Sequence, residues 1–301
     1  MCFGVTRSEL TWPSPRTRLT GMRPRERAVG SERDPEFIRA HLDKLAFVFE
    51  HYHQASVEGL EHIPRGRALV VGNHSGGTMS PDMFALMLAW WRHFGVEEPA
   101  YALAHDLALR VPGLGKLMRK VGAVNASQAN ATELLRRDAK VLVYPGGDID
   151  AYRPWSRRHE IVFGERVGFI RVALRTGSPI VPVVAAGSHD ALRVLTDGRA
   201  IAQKLRLDRL ARVDVFPIAL CLPWGLLLGP NFYLPLPVNV RIRVLPPMQW
   251  PSLGPEDADD DAVVRRCRDE VLERMQTALD ELVREGGHGP RCPCQRSRHR
   301  A

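Results

Sequence analysis

Residues 68–77 read Ala-Leu-Val-Val-Gly-Asn-His-Ser-Gly-Gly, and this stretch decides the fold. Its first four residues are apolar on both faces of an extended chain, as in a central strand of a parallel sheet. The polar residues follow at once, so the sequence predicts that they lie at the carboxyl end of that strand. Loops at this edge carry the reactive side chains of α/β proteins, which makes His74 the first candidate for a functional residue.

The rest of the chain alternates between apolar strand patterns and amphipathic helix patterns. Helix starts are predicted where a capping residue is followed by proline, at Asp34-Pro35 and Ser80-Pro81. Further strands are predicted at 100–104, 121–124, 141–144, 180–184 and 241–246, and further helices from 127, at 167–175 and at 257–284. Strands separated by helices at this spacing predict an α/β fold, a single domain with a largely parallel central sheet flanked by helices.

The net charge of +8 raises the question of a nucleic-acid partner, and the distribution of the charge answers it. Residues 1–33 carry seven Arg and three Glu, and residues 284–301 carry five Arg and one Glu. The 250 residues between them carry 30 basic and 30 acidic side chains, so the globular part is not a nucleic-acid platform. We expect disordered basic tails at 1–33 and 286–301 and a folded domain at 34–285.

The five cysteines form neither a zinc-ligand spacing nor an even disulfide framework. The histidines lie in no ligand-like cluster, so no metal site is predicted. The first residues lack the apolar core of about 7 to 15 residues that a signal peptide needs. Together these features predict a protein on the cytoplasmic side.

Residues 204–237 are a predicted membrane-interface segment. Residues 215–240 contain no charged side chain, but the five prolines among them argue against one regular membrane-spanning helix. Just before them, the basic residues 204, 206, 209 and 212 alternate with apolar ones. A basic amphipathic stretch followed by an apolar, proline-broken hairpin carrying Trp224 predicts an interfacial anchor. A buried apolar loop beside a solvated helix is the alternative.

His74 is the candidate base, and Asp82 follows it by eight residues. A neutral imidazole takes a proton from an alcohol, and a carboxylate on its other nitrogen fixes the tautomer and stabilises the cation. Gly76 and Gly77 would let backbone N–H groups approach a developing oxyanion. Simpler explanations stay open, because an acidic residue near a helix start suits the helix dipole and two glycines shape a turn.

A second candidate block, Tyr144-Pro145-Gly146-Gly147, leaves another apolar strand. Its glycines give a concave backbone surface suited to a carbonyl or phosphate oxygen. No Gly-Lys-Ser/Thr follows, so a nucleotide-binding P-loop is not indicated. Arg153, with two more arginines at 157 and 158, either contacts a substrate phosphate or belongs to a solvated face.

Three motifs occur in the order and approximate spacing of the lysophospholipid acyltransferase superfamily, namely Asn73-His74, Tyr144-Pro145-Gly146-Gly147 and Ser178-Pro179-Ile180-Val181-Pro182-Val183. The chain resembles this family over residues 37–285. The resemblance implies a glycerolipid acyltransferase-like fold and an O-acyltransferase in which an Asn-His followed by Asp supplies a base and its orienting carboxylate. It therefore assigns His74 as the catalytic base and Asp82 as its partner.

Two departures from the family pattern affect these assignments. The family spacing is His-x-x-x-x-Asp, whereas seven residues separate His74 from Asp82. The acceptor block, Phe-Pro-Glu-Gly-Thr-Arg in phosphate-handling members, is Tyr-Pro-Gly-Gly here and lacks both Glu and Arg. This block resembles the branch that contains diacylglycerol acyltransferase type 2 and phytyl ester synthase. The resemblance thus leaves a lysophospholipid and a neutral lipid alcohol both open as acceptors.

The resemblance implies direct transfer of a fatty acyl group to a lipid hydroxyl, with no cofactor and no covalent acyl-enzyme. The donor is an acyl thioester of coenzyme A or acyl carrier protein, lying along an apolar groove at a membrane surface. Backbone donors of the glycines at 76, 77, 146 and 147 would bind the oxyanion. The predicted substrate-binding residues are Asn73, Ser75, Gly76, Gly77, Tyr144, Pro145, Gly146, Gly147 and Arg153.

Two other functions stay open at this point. Residues 74–77 resemble the oxyanion loop of lipases, but an α/β-hydrolase-like esterase needs a Gly-x-Ser-x-Gly nucleophile elbow, and the chain has none. A non-catalytic lipid-binding membrane protein would keep the apolar groove without turnover. His189-Asp190 is either a polar pair at the mouth of the site or a loop with a helix-capping Asp.

Overall fold

The computed structural model of the chain describes residues 28–207, 213–231 and 233–286. Within these ranges the strands are β1 (Ser56–Glu58), β2 (Ala68–Gly72), β3 (Ala100–Ala104), β4 (Ala123–Asn125), β5 (Lys140–Val143), β6 (Ile180–Ala186), β7 (Arg193–Thr196), β8 (Ile218–Cys221), β9 (Gly225–Leu228) and β10 (Arg241–Val244). The α-helices are α1 (Pro35–Phe47), α2 (Pro81–Phe94), α3 (Asp106–Arg110), α4 (Leu114–Lys120), α5 (Gln128–Arg136), α6 (Gly147–Ala151), α7 (Gly168–Thr176), α8 (Arg199–Lys204) and α9 (Asp261–Gly286).

The central sheet has seven strands in the order β1-β10-β6-β2-β5-β3-β4. Every neighbouring pair is parallel except β10 with β6. Strand β2 lies in the middle, where Val70 is paired with Leu142 of β5 and Val181 of β6. The predicted α/β fold with a largely parallel sheet is confirmed, and His74 directly follows the end of the central strand.

Helices cover both faces of this sheet. Leu69 and Val71 pack into a core with residues of α5, α7 and α9, whereas Ala68 and Val70 pack into the core formed with α1 and α2. Successive side chains of a strand point to opposite faces, so a strand buried on both faces must be apolar throughout. All five residues of β2 are buried, which explains the unbroken apolar run in the sequence.

Some predicted boundaries move by a few residues for local reasons. Strand β4 begins at Ala123 rather than at 121, because α4 ends at Lys120 and Gly122 follows with a φ of +96°. Helix α9 begins at Asp261 rather than at 257, because residues 255–259 form a separate 3-10 turn. The Asp260 carboxylate then accepts the N–H groups of residues 262 and 263 and caps the new helix.

The ordered domain starts before the predicted boundary at residue 34. Arg33 donates hydrogen bonds to the carbonyl oxygens of Val96 at 2.5 Å and Glu98 at 3.0 Å, so residues 28–33 belong to the domain rather than to a tail. Residues 1–27 of the predicted N-terminal tail and residues 287–301 of the predicted C-terminal tail lie outside the described residues.

A second, antiparallel sheet has the order β7-β8-β9, and its strands β8 and β9 lie within the predicted membrane-interface segment 204–237. Ala219, Cys221 and Leu227 on its inner face pack against Leu192 and Tyr233. The basic positions 209 and 212 of the predicted segment lie outside the described residues. In the described part of the chain, no helix combines the length and the apolar content needed to cross a membrane.

Candidate active site

His74 and Tyr144 meet at the carboxyl ends of two neighbouring parallel strands. Their rings stack with centroids 4.7 Å apart and planes inclined by 27°. The His74 ring is partly buried, and its Nδ1 is buried without a hydrogen-bond partner in the described structure. Nδ1 is thus closed to a substrate, which leaves Nε2 as the candidate nitrogen for taking a proton. The two predicted blocks of the site are thus brought together by the sheet topology.

The His74 imidazole is neutral at physiological pH. Burial, and second the charge of Arg153, lower the pKa of His74 to about 4. A general base must be deprotonated before it takes a proton, so this shift keeps the ring in the form that acts as a base.

Asp82 does not contact His74, contrary to the sequence-based assignment. Its carboxylate accepts hydrogen bonds from Ser75 Oγ at 3.3 Å, from Ser80 Oγ and from the N–H of Met83 at 2.6 Å. The long His-to-Asp spacing inserts a turn before α2, and the carboxylate closes the start of that helix. Of these bonds, only the one from Ser75 links Asp82 to the His74 loop.

Because Asp82 is buried, we expect the free energy of unfolding to depend on pH through its carboxyl group. Burial raises the pKa of Asp82 to about 7 from 3.8, although the bonds from Ser80, Met83 and Ser75 lower it. Because the folded-state pKa lies above the unfolded value, this group's contribution is most favourable below pH 3.8 and is lost as the pH rises through 7. Asp82→Asn removes this titration, so we expect the variant to gain stability relative to wild type across that range, by up to about 4 kcal/mol.

Urea unfolding of the wild type and Asp82→Asn at a series of pH values measures this difference. His74 titrates in both proteins and cancels from the comparison. Asp43→Asn, at an exposed position of α1, is the matched control. A stability difference between Asp82→Asn and wild type that is constant from pH 4 to pH 8 would show that Asp82 does not titrate in this range.

A buried ion pair holds the backbone of His74 on both sides. Asp150 Oδ2 accepts the His74 N–H at 2.6 Å, and Arg153 Nη1 donates to the His74 carbonyl oxygen at 2.8 Å. Arg153 Nη1 and Asp150 Oδ1 are themselves 2.8 Å apart, and the two side chains are 1% and 0% exposed. The peptide groups that flank the candidate base are therefore fixed by two charges that neutralise each other.

Arg153 does not occupy the position of a substrate contact. Its guanidinium also donates to the carbonyl oxygens of Arg157 at 3.2 Å and Arg158 at 2.9 Å. Buried and bonded in this way, it supports the His74 loop instead of facing the solvent or a substrate phosphate. Its predicted substrate-binding role is corrected to one of positioning.

His189 connects the same pair to the glycine turn. The N–H of Gly76 donates to His189 Nδ1 at 3.3 Å, and His189 Nε2 lies 2.6 Å from the carbonyl oxygen of Arg153. Since Nδ1 accepts, the proton lies on Nε2, and the ring is neutral. Burial and the nearby Arg153 lower the pKa of His189 to about 3, which agrees with a neutral ring. His189 thus helps to hold the loop that contains His74 and Gly76, while Asp190 accepts a hydrogen bond from Trp155 Nε1.

Asn73 and Ser75 also bind within the protein rather than facing a substrate. The Asn73 amide donates to the Ala185 carbonyl oxygen at 3.1 Å and accepts the Ala185 N–H at 2.8 Å. Asn73 is 1% exposed and Ser75 is 2% exposed. The amide therefore extends the pairing of β2 with β6 by one step, and the predicted substrate contacts of both residues are corrected.

Three of the four predicted oxyanion donors are already engaged. These bonds run from Gly76 N–H to His189, from Gly77 N–H to the Ala151 carbonyl at 3.0 Å, and from Gly147 N–H to the Tyr144 carbonyl at 3.0 Å. The prediction is therefore wrong for these three groups in this conformation.

Glycine is required in both blocks for close packing. Gly76 has a φ of +82°, and a Cβ there would lie 2.4 Å from the Ser188 carbonyl oxygen. A Cβ on Gly146 would lie 2.3 Å from both Asp150 Cβ and the Val162 carbonyl oxygen. Because Gly146 has no side chain, Asp150 can pack against it while its carboxylate accepts the His74 N–H.

Arg166 lies against the Tyr-Pro-Gly-Gly block, and no sequence motif indicates it. It donates to the carbonyl oxygens of Pro145 at 3.2 Å and Gly146 at 2.9 Å. Its Nη2 also contacts the carboxylates of Asp148 at 3.0 Å and Asp214 at 2.8 Å. The cation nearest to this block is therefore balanced by two carboxylates.

Two tyrosines that share a core with the second sheet bind the loop between His74 and α2. Tyr233 Oη donates to the Gly76 carbonyl oxygen and accepts the Met79 N–H at 3.2 Å. Tyr152 Oη accepts the Thr78 N–H at 3.2 Å. The turn between His74 and α2 is thus held from the side of the antiparallel sheet.

An apolar cavity lies between α2 and the central sheet, lined by Val70, Leu86, Trp90, Trp91 and Leu142. Among the residues that the structure describes, there is no group of three or more His, Cys, Asp or Glu side chains arranged to hold a metal ion.

The acyltransferase family model matches residues 54–186, which include both blocks and β6. A protein of Mycobacterium tuberculosis, described as uncharacterized, is 33% identical over 252 residues, which span 83% of this chain and 68% of that protein. The chain belongs to the acyltransferase family. It is therefore an acyltransferase, as the sequence motifs predict, and the esterase and non-catalytic alternatives are set aside.

Other relatives of this acyltransferase have names that state a reaction or product. The DGAT1/2-independent enzyme synthesizing storage lipids of mouse is 26% identical over 172 residues, spanning 56% of this chain and 51% of the mouse protein. Phytyl ester synthase 2, chloroplastic, of Arabidopsis thaliana is 31% identical over 145 residues, spanning 47% of this chain and 21% of the plant protein. The crystal structure of the 1-acyl-sn-glycerophosphate (LPA) acyltransferase PlsC from Thermotoga maritima aligns with 82% of this chain and 80% of its own, at 18% identity and a TM-score of 0.49.

Proposed function

We propose that this acyltransferase moves a fatty acyl group from an acyl thioester to the hydroxyl of a neutral lipid alcohol, with His74 as the general base. The observation that carries the proposal is the state of His74. Its ring is neutral, its Nδ1 is buried so that Nε2 is left to take the proton, and its backbone is held on both sides by a buried ion pair. Such a fixed base needs little reorganisation to meet a bound hydroxyl.

The proposed reaction is a direct transfer. The acceptor oxygen attacks the thioester carbonyl carbon while His74 Nε2 takes the hydroxyl proton. The tetrahedral intermediate then collapses, the carbon–sulfur bond breaks, and the thiolate leaves and receives the proton from the His74 imidazolium. The enzyme ends in its starting state, and no residue carries the acyl group.

The charge balance near the Tyr-Pro-Gly-Gly block supports a neutral acceptor. A phosphate-bearing acceptor needs a cation that is free to bind it. Arg153 is buried against Asp150, and Arg166 is shared between Asp148 and Asp214. The names of the mouse and Arabidopsis relatives, for storage-lipid and phytyl-ester synthesis, agree with this choice.

The hydrocarbon chain of the donor needs an apolar surface, because ligand pockets are in general lined mostly by apolar side chains. The carrier is coenzyme A or acyl carrier protein, and the reaction takes place at the cytoplasmic face of a membrane.

A competition between acceptors tests this proposal. Purified enzyme receives a labelled acyl thioester with diacylglycerol, a long-chain alcohol and lysophosphatidic acid. We expect a neutral acceptor to exceed lysophosphatidic acid in kcat/KM by at least about tenfold, a difference of about 1.4 kcal/mol in transition-state binding. A preference for lysophosphatidic acid would contradict the neutral acceptor.

A variant pair shows whether the charge balance causes the preference. Asp214→Asn removes one of the two carboxylates on Arg166, so we expect a relative gain of activity towards lysophosphatidic acid. Asp43→Asn, an exposed change outside the site, is expected to leave the acceptor ratio unchanged.

A further inference from the structure

The outer face of the hairpin formed by β8 and β9 is built mostly from leucine, while Arg193 of the third strand lies opposite Leu220. We call this surface the hairpin face, and it consists of the exposed side chains of Leu220, Leu222, Trp224, Leu226, Leu228 and Leu234. Their exposed fractions run from 46% for Leu220 to 66% for Trp224. A sheet with one solvated face ordinarily carries polar residues there, so this composition requires an explanation.

The exposed leucines alternate with buried residues along both strands of the hairpin. In β8, Leu220 is exposed between the buried residues Ala219 and Cys221. In β9, Leu226 and Leu228 are exposed on either side of the buried Leu227. The inner residues are accounted for by the core that they share with Tyr233, so the outer leucines are in excess of what folding needs.

The strand pairing makes the exposed side chains one continuous surface. Leu220 lies directly opposite Leu226, and Leu222 forms a bridge with Leu234. Side chains directly opposite each other in an antiparallel pair are in contact on the same face. Large contiguous apolar patches on a protein surface mark sites that contact another protein or a membrane.

Two features favour a membrane over a protein partner. Trp224 lies at the turn between β8 and β9, and tryptophan is enriched at the boundary between lipid and water.

The exposed basic residues Lys204 and Arg206 lie at the end of α8 beside the exposed Leu205. Helix α8 starts next to the base of the hairpin, since a Cβ on Gly198 would lie 2.0 Å from the Phe216 carbonyl oxygen. Lys204 follows Gly198 by six residues, about 9 Å along a helix, so these cations lie near the base of the apolar hairpin, an arrangement that is complementary to an anionic bilayer surface.

We propose that the hairpin face docks on a lipid bilayer that contains anionic lipids, with the leucines and Trp224 inserted at the interface and the basic residues of α8 at the headgroups. Tyr233 packs against the inner face of the same sheet and is hydrogen-bonded to the loop that follows His74. Docking therefore places the His74 loop close to the lipid phase. The proposal does not rest on the acyl-transfer reaction, because binding needs no turnover.

Vesicle binding by the full-length protein tests the docking surface. Wild type is mixed with vesicles of phosphatidylcholine and with vesicles that also contain phosphatidylserine, and bound protein is separated by flotation. We expect Leu226→Gln/Leu228→Gln to lower the partition coefficient at least about tenfold, because two leucine side chains leave the apolar contact. We expect Lys204→Gln/Arg206→Gln to reduce the preference for phosphatidylserine, most strongly at low salt.

Two leucines elsewhere supply the matched control. Leu107 and Leu117 are 43% and 46% exposed on α3 and α4, close to the 53% and 52% of Leu226 and Leu228. Leu107→Gln/Leu117→Gln is expected to bind vesicles like the wild type. Quenching of Trp fluorescence by brominated lipids, lost in Trp224→Phe, would place the hairpin turn in the bilayer.

Unchanged vesicle binding of Leu226→Gln/Leu228→Gln would overturn the proposal. The same variant changing the oligomeric state in solution, with vesicle binding intact, would identify a second copy of the chain as the occupant instead. Thermal unfolding of each variant checks that a loss of binding is not a loss of fold. Vesicle binding and acyl transfer are measured separately, so the failure of either proposal can be told from that of the other.

Discussion

Replacing His74 by alanine is expected to lower kcat by about 10² to 10⁴-fold, the usual effect of removing a general base. The fold should persist, because the side chain contributes little to it. The ring stacks on Tyr144, and its Nδ1 has no partner among the described residues. The bonds from Asp150 and Arg153 go to the His74 backbone, which alanine retains. Steady-state release of thiol and formation of ester, with circular dichroism on the same samples, measure both effects.

A second histidine provides the control for this experiment. His51 is exposed, and its Nδ1 donates one hydrogen bond to the Phe47 carbonyl oxygen at 3.1 Å. His51→Ala is expected to keep wild-type turnover. If His74→Ala keeps it as well, His74 is not the base.

Arg153→Met is expected to lower the free energy of unfolding by about 3 to 5 kcal/mol, the usual cost of removing one partner of a buried ion pair. Asp150 would remain buried without its counterion, and the carbonyl oxygen of His74 would lose a donor. Burial raises the pKa of Asp150 although Arg153 opposes the shift, so losing Arg153 drives the carboxyl towards its protonated form. Chemical denaturation near neutral pH measures the change.

A double-mutant cycle separates the ion pair from the rest of the contacts. Asp150→Asn combined with Arg153→Met leaves no unpaired charge, so we expect the double variant to be more stable than the sum of the two single effects predicts. If Arg153 positions the His74 backbone, we also expect the folded Arg153→Met variant to have a lower kcat and nearly the same KM for the thioester. Additive single effects, or a wild-type kcat in the folded variant, would contradict this role.

The sequence predicts the fold and the place of the base because both depend on short stretches of chain. Four buried residues ahead of a polar loop are enough to indicate a central strand that ends at His74. The stacking of Tyr144 on His74 follows from the same rule, because β2 and β5 are parallel neighbours and their ends meet.

The supporting contacts could not be predicted, because they join distant parts of the chain. Asp150 binds the backbone of His74, 76 residues away, and Arg166 joins Asp148 to Asp214, 18 and 48 residues away. Spacing along the chain shows neither pairing. The choice of Arg153 as a substrate contact went wrong for this reason, since an arginine in a polar stretch of sequence can be folded inward when a buried acid lies one turn away.

Asp82 shows how a motif can be present while its expected contact is absent. The order His then Asp is kept, but the longer spacing lets the carboxylate bind Ser75 and Ser80 at the start of α2. The predicted oxyanion donors show the same effect. A glycine-rich turn leaves its N–H groups free only when no other part of the chain accepts them.

Acyl transfer to a lipid hydroxyl with His74 as the base is tested by a single incubation of labelled acyl thioester and diacylglycerol with wild type or His74→Gln, in which free thiol and neutral ester are quantified together. We expect equal amounts of thiol and ester from the wild type and neither product above background from the variant. Equal ester formation by His74→Gln, or thiol release by the wild type without any ester, would contradict it.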